Sequence, residues 1–241
     1  MAVRLLPILA AAALAGAADA QTIDTNRPGF SFTPGIVPVG LWQLETGLSF
    51  TRFDARTRAA TLPLAELRMG VAERVEFFAA SMTWSRIEEP GSDTSGFEDF
   101  AVGTKIGLSP GDASARLALL LEVGVPAGAS GLTTDRWDPT AGLVWAWDAA
   151  LPLAGTSILT DLEDGVLFAN GLKVPFSWRD RHSGFAEWEA NVPEGGGSAN
   201  WLNGGYQWLL GERMQFDASV GLGIGGLAGD YRFGVGFSIR P

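Results

Sequence analysis

The sequence MQFDASVGLGIGGLAGDYRFGVGFSI, residues 214–239, decides the fold. Apolar residues alternate with small or polar residues over 214–225, and the same alternation returns over 231–239. Because side chains point to alternate faces of a strand, this period of two predicts two strands joined as a hairpin. Residues 42–51 alternate in the same way. The first and last strands are therefore predicted to pair and to close a barrel.

Further strands are predicted between these two ends, for a total of about twelve, an even number as in bacterial barrels. The shortest falls below the roughly 9–11 residues that a strand needs to cross a bilayer. The predicted fold is all-β, a transmembrane antiparallel up-and-down β-barrel. The further strands lie at 58–71, 75–86, 97–108, 115–125, 139–150, 156–162, 166–178, 184–192 and 199–210.

The connections between these strands are predicted to alternate in length, because such barrels have short periplasmic turns and longer external loops. The short turns are predicted at 72–74, 109–112, 152–155 and 211–213. The longer loops, which are rich in Gly, Ser, Pro and Asp, are predicted at 88–96, 126–138 and 193–198.

Residues 1–20 are predicted to be a secretory signal peptide. Arg4 precedes an apolar stretch, and Ala18-Asp19-Ala20 has the small-x-small pattern of a cleavage site. The predicted barrel domain spans 38–241. Residues 21–37 are left either as a plug that folds into the lumen or as a mobile periplasmic tail.

Composition excludes several classes of function. The chain has no cysteine and a net charge of -10, so disulfides, thiolate metal sites and a basic nucleic-acid surface are not expected. No cofactor is predicted. No apolar run after the signal peptide is long enough for a membrane helix, so a membrane-spanning chain must be a closed barrel.

A soluble β-sandwich is the alternative fold, since its strands also alternate. Its polar faces would carry Lys, Glu and Thr, whereas these faces are mainly Gly, Ser and Ala. Nine tryptophans also favour a membrane barrel, because aromatic residues gather at the two membrane interfaces. Among them, five lie near predicted strand ends or on the apolar face: Trp42, Trp84, Trp178, Trp188 and Trp208.

If the apolar faces point to lipid, a set of charged residues lines the lumen. Either these residues bind or conduct a solute, or opposite charges pair across a narrow interior and fill it. Because both signs are interspersed, pairing is favoured for most of them. The candidate lumen-lining residues are Glu45, Glu66, Arg68, Lys105, Arg116, Glu122, Glu187, Glu189, Asp217 and Arg232.

No enzymatic or metal site is predicted. His182 is the sole histidine, and its neighbour Ser183 would point to the opposite face of a strand. The two side chains therefore cannot readily form a nucleophile and base pair, as a lipid-modifying enzyme would need. Asp93, Asp135 and Asp138 lack the spacing of a calcium loop, so they are expected to be solvated loop acids.

Several motifs resemble a bacterial family described as the putative MetA-pathway of phenol degradation. They are TNRPGFSFTP at 25–34, VPVGLWQLETG at 37–47, EDFAVGTK at 98–105 and QFDASVG at 215–221. The resemblance implies an outer-membrane barrel that takes up aromatic or other small hydrophobic compounds. Many outer-membrane barrels end in an aromatic residue used for assembly, whereas this chain ends Ile239-Arg240-Pro241, so Phe237 is a candidate substitute.

The expected function is passive uptake of small molecules, hydrophobic or aromatic ones among them, across the outer membrane of a Gram-negative bacterium. The expected partners are outer-membrane lipid, the outer-membrane assembly machinery and such solutes, with no nucleic acid. A porin-like transport role has two alternatives: a structural or surface-interaction barrel, and a lipid-modifying enzyme.

Overall fold

The structure is a computed structural model that describes residues 22–81 and 83–241. The predicted signal peptide, residues 1–20, lies outside the described residues. Twelve antiparallel strands form the barrel, two of them in two segments. They are β1 (Trp42–Arg52), β2 (Arg58–Ala72), β3 (Val75–Ala80 and Trp84–Glu89), β4 (Ser92–Phe97 and Phe100–Gly107), β5 (Ala115–Val125), β6 (Asp138–Trp147), β7 (Leu153–Leu162), β8 (Gly165–Arg179), β9 (His182–Pro193), β10 (Ala199–Leu209), β11 (Met214–Gly226) and β12 (Tyr231–Ile239).

Pairing between the first and last strands closes the sheet. Strand β1 pairs with β12 from Leu44 opposite Ile239 to Arg52 opposite Tyr231, and every other strand pairs with its sequence neighbours. Closure leaves no exposed sheet edge, which a strand protein in lipid requires. The predicted all-β transmembrane barrel is therefore confirmed. Among the described residues, no helix is long and apolar enough to cross a membrane.

The barrel has its apolar side chains outside and its charged side chains inside. Large exposed side chains such as Phe77, Leu159 and Val220 point outward, whereas Arg68 and Lys105 are almost completely buried. This is the reverse of a soluble protein, because lipid surrounds the wall and the interior holds the polar groups. The alternation in the sequence therefore reports which face of each strand meets lipid.

The two ends of the barrel differ. We call the end that holds the start of β1 and the end of β12 the terminal end, and the opposite end the loop end. The longest connection, residues 126–137, is at the loop end as predicted. The predicted long loop at 88–96 is wrong: β3 and β4 continue as a hairpin with a turn at Pro90-Gly91. That hairpin carries charged residues outward, so it lacks the apolar alternation from which strands were predicted.

The wall is irregular between β2 and β3. Leu67 of β2 pairs with Ala79, and pairing resumes only at Thr61 opposite Ser85. Residues 62–66 have no ladder partner among the described residues of β3. Pro63 lies in this stretch and has no N–H to donate. We call this stretch the β2–β3 interruption.

Candidate functional site

The lumen contains the start of the described chain. Residues 22–38, which we call the inner segment, enter at the terminal end, where Ile23 N donates to Glu212 O at 2.7 Å. The segment then turns back and leaves beside β2, where Gly70 lies against the carbonyls of Val37 and Pro38. It forms no strand of the barrel, so its backbone groups need other partners.

Wall carboxylates accept hydrogen bonds from the amides of the inner segment. Glu187 accepts from the amides of Phe30 and Ser31 at 2.8 and 2.7 Å. Glu45 accepts from two consecutive amides at 3.2 and 3.0 Å, and Glu76 accepts from one at 2.7 Å. These charge-assisted hydrogen bonds satisfy amides that would otherwise be buried without a partner.

Wall cations donate to the carbonyls of the same segment. Lys105 Nζ donates to Thr33 O at 2.9 Å, and Lys173 Nζ donates to Ser31 O at 2.7 Å. Arg68 donates to two further carbonyls at 3.0 and 3.1 Å. Carboxylates and cations on the wall therefore bind the two kinds of backbone group separately, and both signs are needed.

The same side chains also pair with one another. Arg68 lies 2.9 Å from Glu45 and 2.9 Å from Glu76, and Lys105 lies 3.1 Å from Glu76. The side chains of this cluster are at most 1% exposed. A buried charge is tolerated only when it is paired and hydrogen-bonded, and here each member has several partners.

One side chain of the inner segment is fitted closely to the wall. Arg27 lies 3.2 Å from Asp217, and its guanidinium lies over Gly47 and Gly236. A Cβ placed on Gly236 would lie 2.5 Å from Arg27 Nη2, and one on Gly47 would lie 2.6 Å from the same atom. Glycine at these two wall positions therefore makes room for the arginine.

Cavities lie on both sides of the inner segment. The cavity toward the loop end has a volume of about 310 Å³ and is lined by Arg27, Phe30, Asn203 and Arg232 among others. The cavity toward the terminal end has a volume of about 340 Å³, and residues 34–39 form part of its wall. The inner segment separates the two cavities.

The cavity toward the loop end contains charged side chains, but these charges are paired. Arg232 donates to Glu189 and, at 2.9 Å, to Asn203. Its guanidinium also lies over the ring of Trp201, 4.5 Å from the centroid. A solute in this cavity therefore meets a neutralised cation rather than a free one.

Strands β3, β5 and β6 give the lumen an apolar side. Phe78, Ala118, Leu120 and Val144 form a buried cluster there. Phe32 of the inner segment packs against it. The lumen therefore has one polar side that binds the inner segment and one apolar side.

The structure places the ten predicted lumen residues in several environments. Glu45, Arg68, Lys105 and Glu187 bind backbone groups of the inner segment, as described above. Four others have the following partners: Glu66 accepts from Asn26 at 2.8 Å, Asp217 pairs with Arg27, Glu189 pairs with Arg232, and Arg116 lies 3.5 Å from Asp148. Glu122 on β5 has no hydrogen bond or ion pair among the described residues.

Sequence reasoning missed six wall residues whose side chains hydrogen-bond to the inner segment. Glu76 lies between Val75 and Phe77, and inward Phe78 breaks the apolar and polar alternation that would have marked it. The others lie on regular strands and were detectable as inward polar residues. They are Lys173, which donates to Ser31 O, Gln207 and Gln215, which both donate to Arg27 O, Gln43, which donates to Asp24 O, and Thr156, which accepts from the Phe32 amide.

His182 and Ser183 have separate partners. His182 Nδ1 lies 2.7 Å from the hydroxyl of Tyr206, and its ring stacks on Trp208 at 6.0 Å. Ser183 Oγ instead donates to Gln207 at 3.3 Å. No group of three or more His, Cys, Asp or Glu side chains that could hold a metal ion exists within residues 22–81 and 83–241.

Comparisons with known protein sequences give no match, whereas comparisons with solved structures support the fold. No family model matches the sequence, and no curated protein sequence matches it. The resemblance to the phenol-degradation family therefore stays a prediction.

Solved outer-membrane barrels are similar in structure. The COG4313 outer membrane channel from Pseudomonas putida F1 has a TM-score of 0.66 and 13% identity, with 85% of this chain and 97% of that chain covered. The NanC porin has a TM-score of 0.56 and 8% identity, with 82% and 100% covered. The translocator domain of autotransporter NalP from Neisseria meningitidis has a TM-score of 0.54 and 13% identity, with 85% and 90% covered.

Proposed function

We propose that this protein is an outer-membrane channel of a Gram-negative bacterium for passive uptake of small hydrophobic or aromatic molecules. The observation that carries the proposal is a closed barrel with cavities on both sides of its inner segment. A barrel with a purely structural role has no need of such cavities. The channel and porin among the similar structures are consistent with this role.

The inner segment acts as a plug in this proposal. It separates the two cavities, and the wall holds it by its backbone along most of its length. A solute that enters from the loop end, which we assign to the cell exterior, meets this plug before it reaches the periplasmic side. Passage therefore requires the plug to shift or the solute to leave sideways.

The β2–β3 interruption is the proposed side exit. Two strands separate with the smallest cost in free energy where no hydrogen bonds join them. Leu62 and Pro63 are exposed at this stretch, so its outer side is apolar. A hydrophobic solute that leaves here enters the membrane rather than water.

The lumen chemistry suits aromatic solutes. The buried cluster around Phe78 and Leu120 is covered by Phe32 of the inner segment, so it becomes an apolar surface for a solute when the plug shifts, while hydrogen-bonding groups line the opposite side. Ligand sites of this kind are mostly apolar with a few polar groups that fix orientation. The proposed partners are such solutes, outer-membrane lipid and the outer-membrane assembly machinery.

Flux measurements test the proposal. The protein is reconstituted in liposomes that contain β-galactosidase, and 2-nitrophenyl β-galactoside, a neutral aromatic solute that crosses lipid slowly, is added outside. We expect hydrolysis above that of empty liposomes, together with discrete conductance in planar bilayers. No flux and no conductance from correctly folded barrels, checked by heat-modifiable gel migration, in the full chain and in every variant described below would refute the channel and favour a structural role.

Removal of the plug gives a second comparison. A variant that lacks residues 22–38 is expected to show larger conductance, because the two cavities then join. Conductance equal to that of the full chain would show that the inner segment is not a plug.

A further inference from the structure

A single carboxylate holds the longest loop of the barrel. Asp99, between the two segments of β4, accepts five hydrogen bonds from residues 126–137, which we call the outer loop. Its Oδ1 accepts from the amides of Ala127 and Gly128 at 2.9 and 2.8 Å. Its Oδ2 accepts from the Thr134 amide at 2.8 Å and from the hydroxyls of Thr134 and Thr133 at 3.1 and 3.3 Å.

The outer loop lies on the lumen side of the hairpin formed by β3 and β4. Ser85 is buried and faces inward, and Gly96 lies opposite it on the same face of the hairpin. A Cβ placed on Gly96 would lie 2.5 Å from the Cβ of Ala129 in the loop. One placed on Gly131 would lie 3.3 Å from Thr94 Cγ2, also on the inner face. The loop therefore extends over the opening of the barrel at the loop end, which we call the mouth, rather than away from it.

Asp99 and the outer loop lie beside the β2–β3 interruption, at the side of it that faces the loop end. Glu98 accepts from Thr83 Oγ1 at 3.0 Å and also from Ser85. Ser85 in turn shares a hydrogen bond with Thr61, the residue at which β2 resumes pairing with β3. Glu98 therefore fixes the wall at the end of the interruption, and the adjacent Asp99 fixes the loop above it.

Asp99 has no cationic partner among the described residues. All of its hydrogen bonds come from the outer loop, so the visible role of Asp99 is to hold that loop. The other ionic contact of the loop joins Arg136 to Asp161 and Asp138 at its far end. Asp99 therefore holds the loop at two places, through Ala127 and Gly128 and through Thr133 and Thr134, and one backbone hydrogen bond from Ala129 N to Phe97 O at 2.7 Å supports it between them.

We propose that the outer loop is the gate at the outer mouth of the solute route, and that Asp99 is the residue that positions it. This inference rests on the proposed channel function. Loss of Asp99 releases the loop from the mouth, so the flux of larger solutes increases more than the flux of small ones. A mutation that merely damaged the barrel would lower both fluxes together.

The test compares Asp99→Ala with Asp93→Ala, which removes an exposed carboxylate from the same hairpin. Flux is measured with 2-nitrophenyl β-galactoside and with the bulkier 4-methylumbelliferyl β-galactoside, both over entrapped β-galactosidase. We expect Asp99→Ala to raise the ratio of bulky to small solute flux several-fold, and Asp93→Ala to leave it unchanged. Asp99→Asn keeps one acceptor oxygen and is expected to fall between them.

Loop release is measured separately by trypsin cleavage after Arg136, followed by mass spectrometry. The loss of even one hydrogen bond to a charged acceptor corresponds to about tenfold more of the open loop. Cleavage in Asp99→Ala is expected to rise by about that factor or more. Unchanged cleavage would overturn the positioning role of Asp99 even in a barrel that carries no flux.

A reversible disulfide between the hairpin and the outer loop, which we call the lock, completes the experiment. The chain has no cysteine, so Gly96→Cys with Ala129→Cys introduces one pair. A disulfide needs about 3.8 Å between Cβ atoms, so the loop must move by little more than about 1 Å. Oxidation is expected to lower flux, and reduction to restore it.

The outcomes separate the two proposals. Flux in the full chain that neither Asp99→Ala nor the lock alters would overturn the gate and leave the channel intact. A silent full chain that conducts after Asp99→Ala would support a closed gate. Silence in both would refute the channel, and the gate with it.

Discussion

Arg68 is the residue whose removal should cost the barrel most. It donates to Glu76 through Nε and Nη2, to Glu45 through Nη1, and to two carbonyls of the inner segment. Arg68→Met keeps most of the side-chain volume and removes all five hydrogen bonds. It leaves Glu45 without a cation, while Glu76 keeps Lys105 at 3.1 Å.

The expected cost follows from burial. The side chains of Arg68 and Glu45 are 1% and 0% exposed, so water cannot replace the lost partner. Removal of one member of a buried ion pair typically costs about 3–5 kcal/mol. Arg58, which pairs with Glu88, is 60% exposed, and Arg58→Met should cost at most about 1 kcal/mol.

Urea unfolding in phospholipid vesicles, followed by tryptophan fluorescence, measures both variants. A reporter cysteine at Ser31, which is 2% exposed, also shows whether the inner segment is released to an impermeant maleimide. Glu45→Gln in the Arg68→Met background should recover part of the loss, because it removes the unpaired charge. A cost for Arg68→Met no larger than that for Arg58→Met would refute the argument that this cluster holds the segment.

Three further outcomes are expected. Gly236→Val should displace the Arg27 guanidinium and increase maleimide labelling at Ser31, whereas unchanged labelling would show that the close fit is unimportant. Burial raises the pKa of Asp99, but hydrogen bonds from the amides of Thr134 and Gly128 outweigh it and hold that pKa below its usual 3.8. The outer loop should therefore stay resistant to cleavage down to that pH and lose this resistance only below it, when cleavage is measured at each pH with an acid-active protease. Glu122→Gln should change the free energy of unfolding by no more than about 0.5 kcal/mol, since no partner is lost.

The strands were predictable because lipid imposes a regular outer face. Each apolar and polar alternation marks one strand, and closure followed from the matching ends at 42–51 and 231–239. The second segment of β3 was less visible, because Arg86 and Glu88 interrupt the apolar outer face of its hairpin.

The path of the inner segment was not predictable for a different reason. The wall binds mainly its amides and carbonyls, which every residue carries, so the segment needs few distinctive side chains. The side chains of Asn26, Arg27 and Phe32 do contact the wall, and the pairing of Arg27 with Asp217 is a contact between residues far apart in sequence. Sequence patterns show which wall residues face inward, but not which backbone atoms they meet.

The charges of the lumen therefore bear on solute selectivity only indirectly. Most of the wall cations and carboxylates are occupied by the inner segment or by one another, so they are not free to select a passing ion. In the proposed channel a solute instead meets the paired groups near Arg232 and the outer loop, and it reaches the apolar side around Phe78 and Leu120 only when Phe32 moves away. Selection by size and hydrophobicity follows from these surfaces, and release of the inner segment would expose the charges and shift the channel toward ions.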